Sequence, residues 1–322
     1  VTDPAQPPAL LVAGPTASGK SALALHLAER LGGTIINADS MQIYRELRIV
    51  TARPSEEEAA RVPHALYGVR PAAEAGTVAW WRGAALAAMA AAREAGRVPI
   101  LCGGTGLYFA ALTEGLSEIP PVPPEARAEA RRRLAEEGPA ALHARLALLD
   151  PETAATLRAG DSQRIARAFE VASGTGRGLR DWQRRGGTGP APWRFAALLL
   201  DPPRAGLRAA IAARWQGMLA AGALEEVRAL GALGLDPALP AMRAHGVPEL
   251  LAHLRGALSL EAASARAMLN TGQYTKRQAT WFRHRALASP TNTHTINARW
   301  AHETQLSGVL LDYCVAFVEA AR

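Results

Sequence analysis

Apolar residues recur along this chain in two rhythms. Short, almost uninterrupted apolar runs at residues 9–13, 34–38, 98–102 and 195–200 read as strands, in the pattern of parallel strands covered on both faces. Residues 22–31 and 80–95 instead space their bulky apolar positions as helices do. In the alanine-rich second stretch the bulk comes from Trp81, Leu86 and Met89. Residues 55–58, Ser-Glu-Glu-Glu, read as a helix start, with Ser55 as the cap and Glu58 reaching back from three residues on. Pro63 ends that helix, and His64 after it carries no assigned role.

Near Ser117 the rhythm changes. Pro120, Pro121, Pro123 and Pro124 make a stiff connector. Beyond it come amphipathic helices without strands, at residues 125–137, 140–149, 151–157 and 162–172. Gly174, Gly176 and Gly178 and a loop at 186–192 close this block. The strand 195–200 then resumes the first rhythm, followed by helices at 204–233, 247–254, 260–285 and 303–321, with a polar loop at 289–297. The simplest account is an α/β core interrupted by an all-helical insertion: core at 1–116, insertion at 117–192, core again at 193–322 with basic C-terminal helices.

Between the first strand and the first helix stands Gly14-Pro15-Thr16-Ala17-Ser18-Gly19-Lys20-Ser21, which fits GxxxxGKS at every fixed position. Strand, glycine-rich loop and helix is the context this pattern needs. Gly14 and Gly19 permit backbone conformations that a Cβ would penalise, so the loop amides can converge on an anion at the helix N-terminus. Lys20 would reach the outer phosphate, and Ser21 would bind the Mg2+ that rides with it. The expected core is therefore P-loop NTPase-like, a parallel sheet flanked by helices. Lys20 carries a further signal. The chain has 36 Lys and Arg, yet Lys20 and Lys276 are its only lysines. A planar guanidinium cannot replace a compact ammonium inside a phosphate loop, so a lysine kept there points to chemistry.

Two more stretches sit at strand ends. Asp39, in Asp39-Ser40-Met41-Gln42, stands where ligands bind in doubly wound sheets, although a turn or cap role stays open on local sequence. Gly103-Gly104-Thr105-Gly106 is a second glycine-rich turn, and beside the first it suggests a second wall of one phosphate site.

The formal net charge of +7 favours a polyanionic partner. From Arg243 to Arg299 there are eight Lys/Arg against two Asp/Glu. There Tyr274, Lys276, Arg277, Gln278, Trp281, Phe282, Arg283 and Arg285 interleave cations with rings, a composition that suits RNA. A core helix with Trp281 and Phe282 buried under a solvated basic face accounts for it as well. Gln163, Arg164 and Arg167 share a helical face in the insertion, as phosphate-gripping residues or as ordinary surface ones. Cys102 and Cys314 are the only cysteines, which excludes a disulfide framework and a zinc site and suits the reducing cytoplasm. No run is long and apolar enough for a membrane span, and residues 1–8 lack the basic start and apolar core of a signal peptide.

Taken together, these residues resemble the bacterial tRNA dimethylallyltransferase (tRNA isopentenyltransferase) family. The resemblance runs from Gly14 to about Arg283 through GPTASGKS, DSMQIY (39–44), TARP (51–54), GGTGLY (103–108), DSQRIARAFEV (161–171), MRAHGVPEL (242–250) and KRQATWFR (276–283). It implies a P-loop core with a helical insert. It also implies Mg2+-dependent transfer of a dimethylallyl group from dimethylallyl diphosphate to the exocyclic amine of the adenine 3′ of the anticodon. The tRNAs concerned read UNN codons, and ATP is not a substrate. Carried over by motif, Asp39 takes up or hydrogen-bonds the amine proton, Thr105 contacts the diphosphate near the bridging oxygen, and Lys20 neutralises the leaving group. Asp39, Ser40, Met41, Gln42, Thr105, Arg127, Gln163, Arg164, Arg167, Arg243, Lys276, Arg277 and Arg283 hold the tRNA anticodon stem-loop. A cytoplasmic monomer is expected. The chain departs from the family pattern at Arg53 (commonly Lys, on a phosphate-facing loop), at Gly272 and Thr275 (often Arg and Ala), and at Val247-Pro248 (commonly Tyr-Lys). Competing readings are a small-molecule or nucleotide kinase using the same loop, an RNA-stimulated ATPase, and a transferase acting on free adenine nucleotides.

Overall fold

The computed structural model describes residues 6–300 and 308–320. It divides into two compact units, Val1–Thr113 with Ala191–Arg322, and Glu114–Pro190. In the first unit, β1 (Pro8–Ala13) leads through the glycine-rich loop into α1 (Lys20–Leu31). There follow β2 (Gly33–Asn37), α2 (Glu56–Arg61), β3 (His64–Ala65), α3 (Val78–Glu94), β4 (Val98–Gly103) and α4 (Gly106–Thr113). The second unit supplies α5 (Pro124–Leu149), α6 (Pro151–Ala154), α7 (Ser162–Thr175) and α8 (Leu179–Arg184). The first unit resumes with β5 (Arg194–Leu200), α9 (Arg204–Ala220), α10 (Ala223–Ala232), α11 (Val247–Leu254), α12 (Leu260–Arg283), β6 (Thr293–Ile296) and α13 (Gly308–Glu319).

The strands pair in parallel in the order β3-β2-β4-β1-β5-β6. Alternate side chains feed two cores. Leu11, Ala13, Ile36, Leu101, Ala197 and Leu199 join Trp81 and Met89 of α3, Phe109 of α4, Trp215 of α9 and Phe282 of α12. Leu10, Val12, Ile35, Ile100, Ala196 and Leu198 join Leu23 and Leu27 of α1 with Cys314 and Phe317 of α13. Burial on both faces is why these strands read as unbroken apolar runs. β1 lies between β4 and β5, so its carboxyl end opens at the centre of the sheet, where such folds bind ligands.

The helix start at Ser55 is as expected: its hydroxyl accepts the Glu58 N–H at 3.1 Å, and the Glu58 carboxylate accepts the Ser55 N–H at 2.8 Å. Other elements differ from expectation. The polar stretch at 289–297 is not only a loop, because Thr293–Ile296 adds an edge strand to β5. An edge strand covered on one side has no need of an apolar run. The stretch 204–233 is two helices, parted at Gly222 with φ 98°. The final helix begins at Gly308 among the described residues; the expected start at 303 lies outside them.

The second unit is helical throughout, with a core of Ala130, Leu142, Leu146, Ala154, Ile165, Ala168 and Phe169. The two expected helices at 125–137 and 140–149 run end to end and break at Gly138 (φ 82°, ψ 171°), just before Pro139. α8 is an addition to the sequence reading. Buried Asp150 ties it in, accepting the N–H of Thr153 at 3.1 Å and of Leu179 at 2.8 Å. No helix of the described residues is long and apolar enough to cross a membrane.

Candidate active site

The loop from Gly14 to Ser21 is built from backbone constraint. Gly19 adopts φ 91° as it caps α1, and Ala17 is held at φ 68°, a conformation that costs an L-residue roughly 1 kcal/mol. Ser18 donates its N–H to the Pro15 carbonyl at 3.2 Å, while its buried hydroxyl has no partner. The Lys20 ammonium has three donors, yet among the described residues its one hydrogen bond is a long one of 3.4 Å to the Pro15 carbonyl. Burial lowers its pKa; Cys102 and Asp39 act against that shift, and Arg214 adds to it. A cation so poorly matched by the protein suits an incoming anion. Ser21 is exposed beside the loop. Burial pushes the neighbouring Cys102 thiol up to about 11, with Lys20 and Ser21 acting against that shift.

The second glycine turn lies against the first because β4 pairs with β1. Gln278 of α12 joins them. Its side-chain oxygen accepts the Thr16 N–H at 2.9 Å, and its amide donates to the Gly104 carbonyl at 2.9 Å. A Cβ on Gly104 would stand 2.2 Å from that amide nitrogen, so glycine is required there by space.

The end of β2 is fastened in the same way. Asn37 accepts the Asp39 N–H at 2.8 Å and donates to the Asp39 and Leu66 carbonyls. The Trp81 indole donates to the Asn37 carbonyl at 2.8 Å. One Asp39 oxygen accepts the Met41 N–H at 2.9 Å, which leaves the other oxygen to the cavity. The Thr105 hydroxyl accepts the Ser40 N–H at 2.9 Å. Asp39 therefore does hold its own turn, and it does so while facing an open space.

That space is an open pocket, about 670 Å³ with the solvent at its mouth included, lined by Thr16, Asp39, Met41, Val50, Thr51, Ile211, Arg214, Trp215, Met218, Ala244, His245, Met268, Thr271 and Tyr274. The loop behind Val50 is set by Glu226 of α10, whose carboxylate accepts the N–H groups of Arg48, Ile49 and Val50 at 2.7–2.9 Å. Arg214 gives this lining a cation beside Asp39, and Met41, Val50, Ile211, Trp215, Met218, Ala244 and Met268 give it an apolar wall. That arrangement can take a molecule with a charged head and a hydrocarbon tail, and hold a carboxylate near their junction.

Several of these residues escaped sequence reasoning. Arg214 makes no hydrogen bond or ion pair among the described residues; burial foremost, then Arg299, lowers its pKa, against the pull of Asp39. It sits in an ordinary amphipathic helix, and nothing in the sequence marked it. The buried Trp215 indole N–H is unpartnered. The His245 ring lies 4.9 Å from that of Tyr274, tilted by 47°, and burial lowers its pKa. Burial first, then the Asp39 charge, raises the Tyr274 phenol, with Arg277, Thr105 and Gln278 acting against that shift.

The expected nucleic-acid residues are placed as follows. In α12, Tyr274, Gln278 and Trp281 turn inward: Tyr274 lines the cavity, Gln278 is buried, and Trp281 packs where a Gly106 Cβ would be. Lys276 and Arg277 stay exposed, as does Arg243. This face is thus a core contact with a basic rim, and of the rings of α12 Tyr274 borders the cavity while Trp281 and Phe282 pack inside. Arg283 is forked onto Asp201 by two 2.8 Å bonds. Gln42 spends its amide on the Thr51 and Ala52 carbonyls, both at 2.9 Å. Arg53, expected on a phosphate-facing loop, instead donates to the carbonyls of Tyr44 and Arg45 at 3.0 and 3.1 Å and staples that loop. In the helical unit Arg127, Gln163, Arg164 and Arg167 are all exposed; Arg164 is paired loosely with Asp161 at 3.4 Å and Arg167 with Glu170.

Comparison with known proteins gives a consistent result. The family model for IPP transferase matches residues 42–285, and that for isopentenyl transferase matches residues 8–75. A tRNA dimethylallyltransferase of Acidiphilium cryptum is 60% identical over 311 residues, 97% of this chain and 94% of that protein. One of Granulibacter bethesdensis is 61% identical over 312 residues, 97% and 98% of the two chains. Among solved structures, the full-length tRNA isopentenylpyrophosphate transferase of Bacillus halodurans matches with a TM-score of 0.69 at 29% identity, covering 98% of both chains.

Proposed function

The chain belongs to the IPP transferase family of tRNA dimethylallyltransferases, and we propose that its cavity joins dimethylallyl diphosphate to the exocyclic amine of the adenine just 3′ of the anticodon in tRNAs reading UNN codons. One observation carries the reading furthest. Arg214, a cation without an ion-pair partner among the described residues, lines the same cavity as Asp39 and an apolar wall of Met41, Val50, Ile211, Trp215, Met218 and Met268, and the loop that brings Thr16 to that cavity carries Lys20, likewise without an ion-pair partner among the described residues.

The diphosphate lies on the loop amides of Ala17, Gly19, Lys20 and Ser21, since those of Thr16 and Ser18 are already bonded within the protein, with Lys20 and Arg214 against its oxygens. The C5 tail lies along the apolar wall. As the carbon–oxygen bond breaks, charge collects on the leaving diphosphate, where these preorganised cations stabilise it. Thr105, held by its hydrogen bonds with Ser40, supplies a hydroxyl near the bridging oxygen. The adenine amine is a weak nucleophile, because its lone pair is shared with the ring. Its nitrogen bonds to the allylic carbon while Asp39 accepts the proton it loses. The base must leave its stack to reach the cavity. Arg127, Gln163, Arg164, Arg167, Arg243, Lys276 and Arg277 take tRNA phosphates.

Magnesium fits this arrangement in a limited way. Among the described residues no group of three His, Cys, Asp or Glu could hold a metal. The exposed Ser21 hydroxyl would give one ligand, with diphosphate oxygens and water as the others. Bound there, the ion would neutralise part of the leaving-group charge. The expected setting is a cytoplasmic monomer.

The test is to incubate the chain with dimethylallyl diphosphate, magnesium and unmodified tRNA that reads UNN codons, then to weigh the nucleosides. One C5 unit gained on the adenine 3′ of the anticodon supports the reading. Phosphorylated product from ATP without any C5 gain would replace it with a kinase.

A further inference from the structure

Past β6 the chain returns to the phosphate loop. Trp300 donates its N–H to the Ser18 carbonyl at 2.9 Å, and Arg299 donates its Nε–H to the Ala17 carbonyl at 3.0 Å. The contact is close: a Cβ on Gly19 would stand 2.1 Å from the Trp300 carbonyl oxygen. Trp300 itself is buried against the α1 side of the sheet, with its ring centroid 6.2 Å from that of His26. The carbonyl that Arg299 takes belongs to Ala17, the residue held at φ 68°.

The bond from Nε leaves both terminal nitrogens of Arg299, with four N–H donors, free of partners among the described residues. Those donors stand beside other cations. After burial, the charge of Arg299 is the largest influence on Arg214, and Arg214 in turn bears on Lys20. Lys20, Arg214 and Arg299 thus converge on one loop, and none has an ion-pair partner among the described residues. Asp39 bears on Lys20 and Arg214, but three cations against one carboxylate leave an excess of like charge, which works against the fold. A polyanion with several oxygens resolves that conflict, and a diphosphate is one.

We propose that Arg299 is a diphosphate-binding residue. Its Nε is anchored on Ala17 while Nη1 and Nη2 grip the diphosphate oxygens, opposite charges with matching planar geometry. This rests on the reading that residues 14–21 hold an allylic diphosphate. Arg299 lies outside the residues matched by either family model, so nothing in those matches assigns it. The alternative role is that of a buttress, in which the Ala17 hydrogen bond is all that Arg299 provides.

Two substitutions separate these roles. Arg299→Gln keeps an N–H for Ala17 and removes the charge. Arg299→Lys keeps the charge and loses the fork. Inorganic pyrophosphate with magnesium would be titrated calorimetrically into the full chain and both variants, with melting temperatures taken without ligand. A diphosphate grip predicts that Arg299→Gln weakens pyrophosphate binding by about tenfold to a hundredfold. Arg299→Lys should recover part of that loss, and the ligand-free melting temperature of Arg299→Gln should stay near that of the unsubstituted chain. In prenyl transfer the KM for dimethylallyl diphosphate should rise, with the KM for tRNA unchanged. Pyrophosphate binding by Arg299→Gln at full strength would overturn the proposal, as would a loss in Arg299→Lys that matches its fall in melting temperature. Pyrophosphate binding that depends on Arg299, in a chain that transfers no C5 unit to tRNA, would support the grip and sink the transferase reading instead.

Discussion

The side-chain oxygen of Gln278 accepts the backbone N–H of Thr16 at 2.9 Å, and the same side chain donates to the Gly104 carbonyl. Two loops from two strands are thereby locked to a helix far along the chain. Gln278→Leu leaves a buried N–H and a buried carbonyl unpaired, at a cost of about 1–3 kcal/mol, readable by urea denaturation. Gln278→Glu still accepts from Thr16, loses the donor to Gly104, and sets a negative charge beside the phosphate loop. Its KM for dimethylallyl diphosphate should exceed that of Gln278→Leu. The reverse order would show that Gln278 is remote from the diphosphate.

Lys20→Ala removes the ammonium whose protein contact is a single 3.4 Å bond. Diphosphate binding should weaken and transfer should slow, with tRNA affinity nearly intact. Filter binding of tRNA beside pyrophosphate calorimetry checks this. Equal loss of both affinities would mean that the loop is no dedicated diphosphate site.

The two arginines at the end of α12 should part company. Arg277 is exposed, with its guanidinium 5.5 Å from the Tyr274 ring, whereas Arg283 is committed to Asp201. Arg277→Ala should lower the salt slope of tRNA binding by about one, as one lost phosphate contact does. Arg283→Ala should leave that slope close to unchanged and lower the melting temperature slightly, since an exposed pair contributes about 0–1 kcal/mol. A slope that falls only for Arg283→Ala would reverse these assignments.

Acid should destabilise the fold in part through His245. Burial holds its pKa below the ordinary value of about 6.5 and outweighs the pull of Glu249. Between the two values the unfolded chain takes a proton that the folded chain refuses. Stability is therefore full above about pH 6.5 and falls as the pH drops toward the folded value. His64, also lowered by burial, acts in the same direction. His245→Gln should flatten the melting temperature against pH between about 7 and 5. An unchanged slope would show that His245 titrates alike in both states.

Much of this was legible in the sequence, and what was not has physical reasons. The phosphate loop, its flanking strand and helix, and the helical insertion are local patterns, and the structure contains each. β6 was hidden because half-exposed Thr293–Ile296 carries no apolar run. The inward turn of Tyr274, Gln278 and Trp281 follows from what α12 packs against, which spacing alone does not specify. Arg214 and Arg299 look like any other arginine in a chain rich in them; only folding brings them near Lys20. Arg53 illustrates the converse, since its motif suggested phosphate and its hydrogen bonds serve the loop.

The central claim is that Asp39 accepts the proton of the adenine amine as the C5 unit is transferred. One of its oxygens is spent on the Met41 N–H, and the other is available to substrate. Asp39→Asn preserves the shape and the acceptor for Met41 while removing the basicity. Single-turnover transfer from dimethylallyl diphosphate to tRNA measures the chemical step alone. The account predicts a fall of at least about a hundredfold, with the affinities for tRNA and diphosphate changed little. Transfer by Asp39→Asn at a near-normal rate would contradict it.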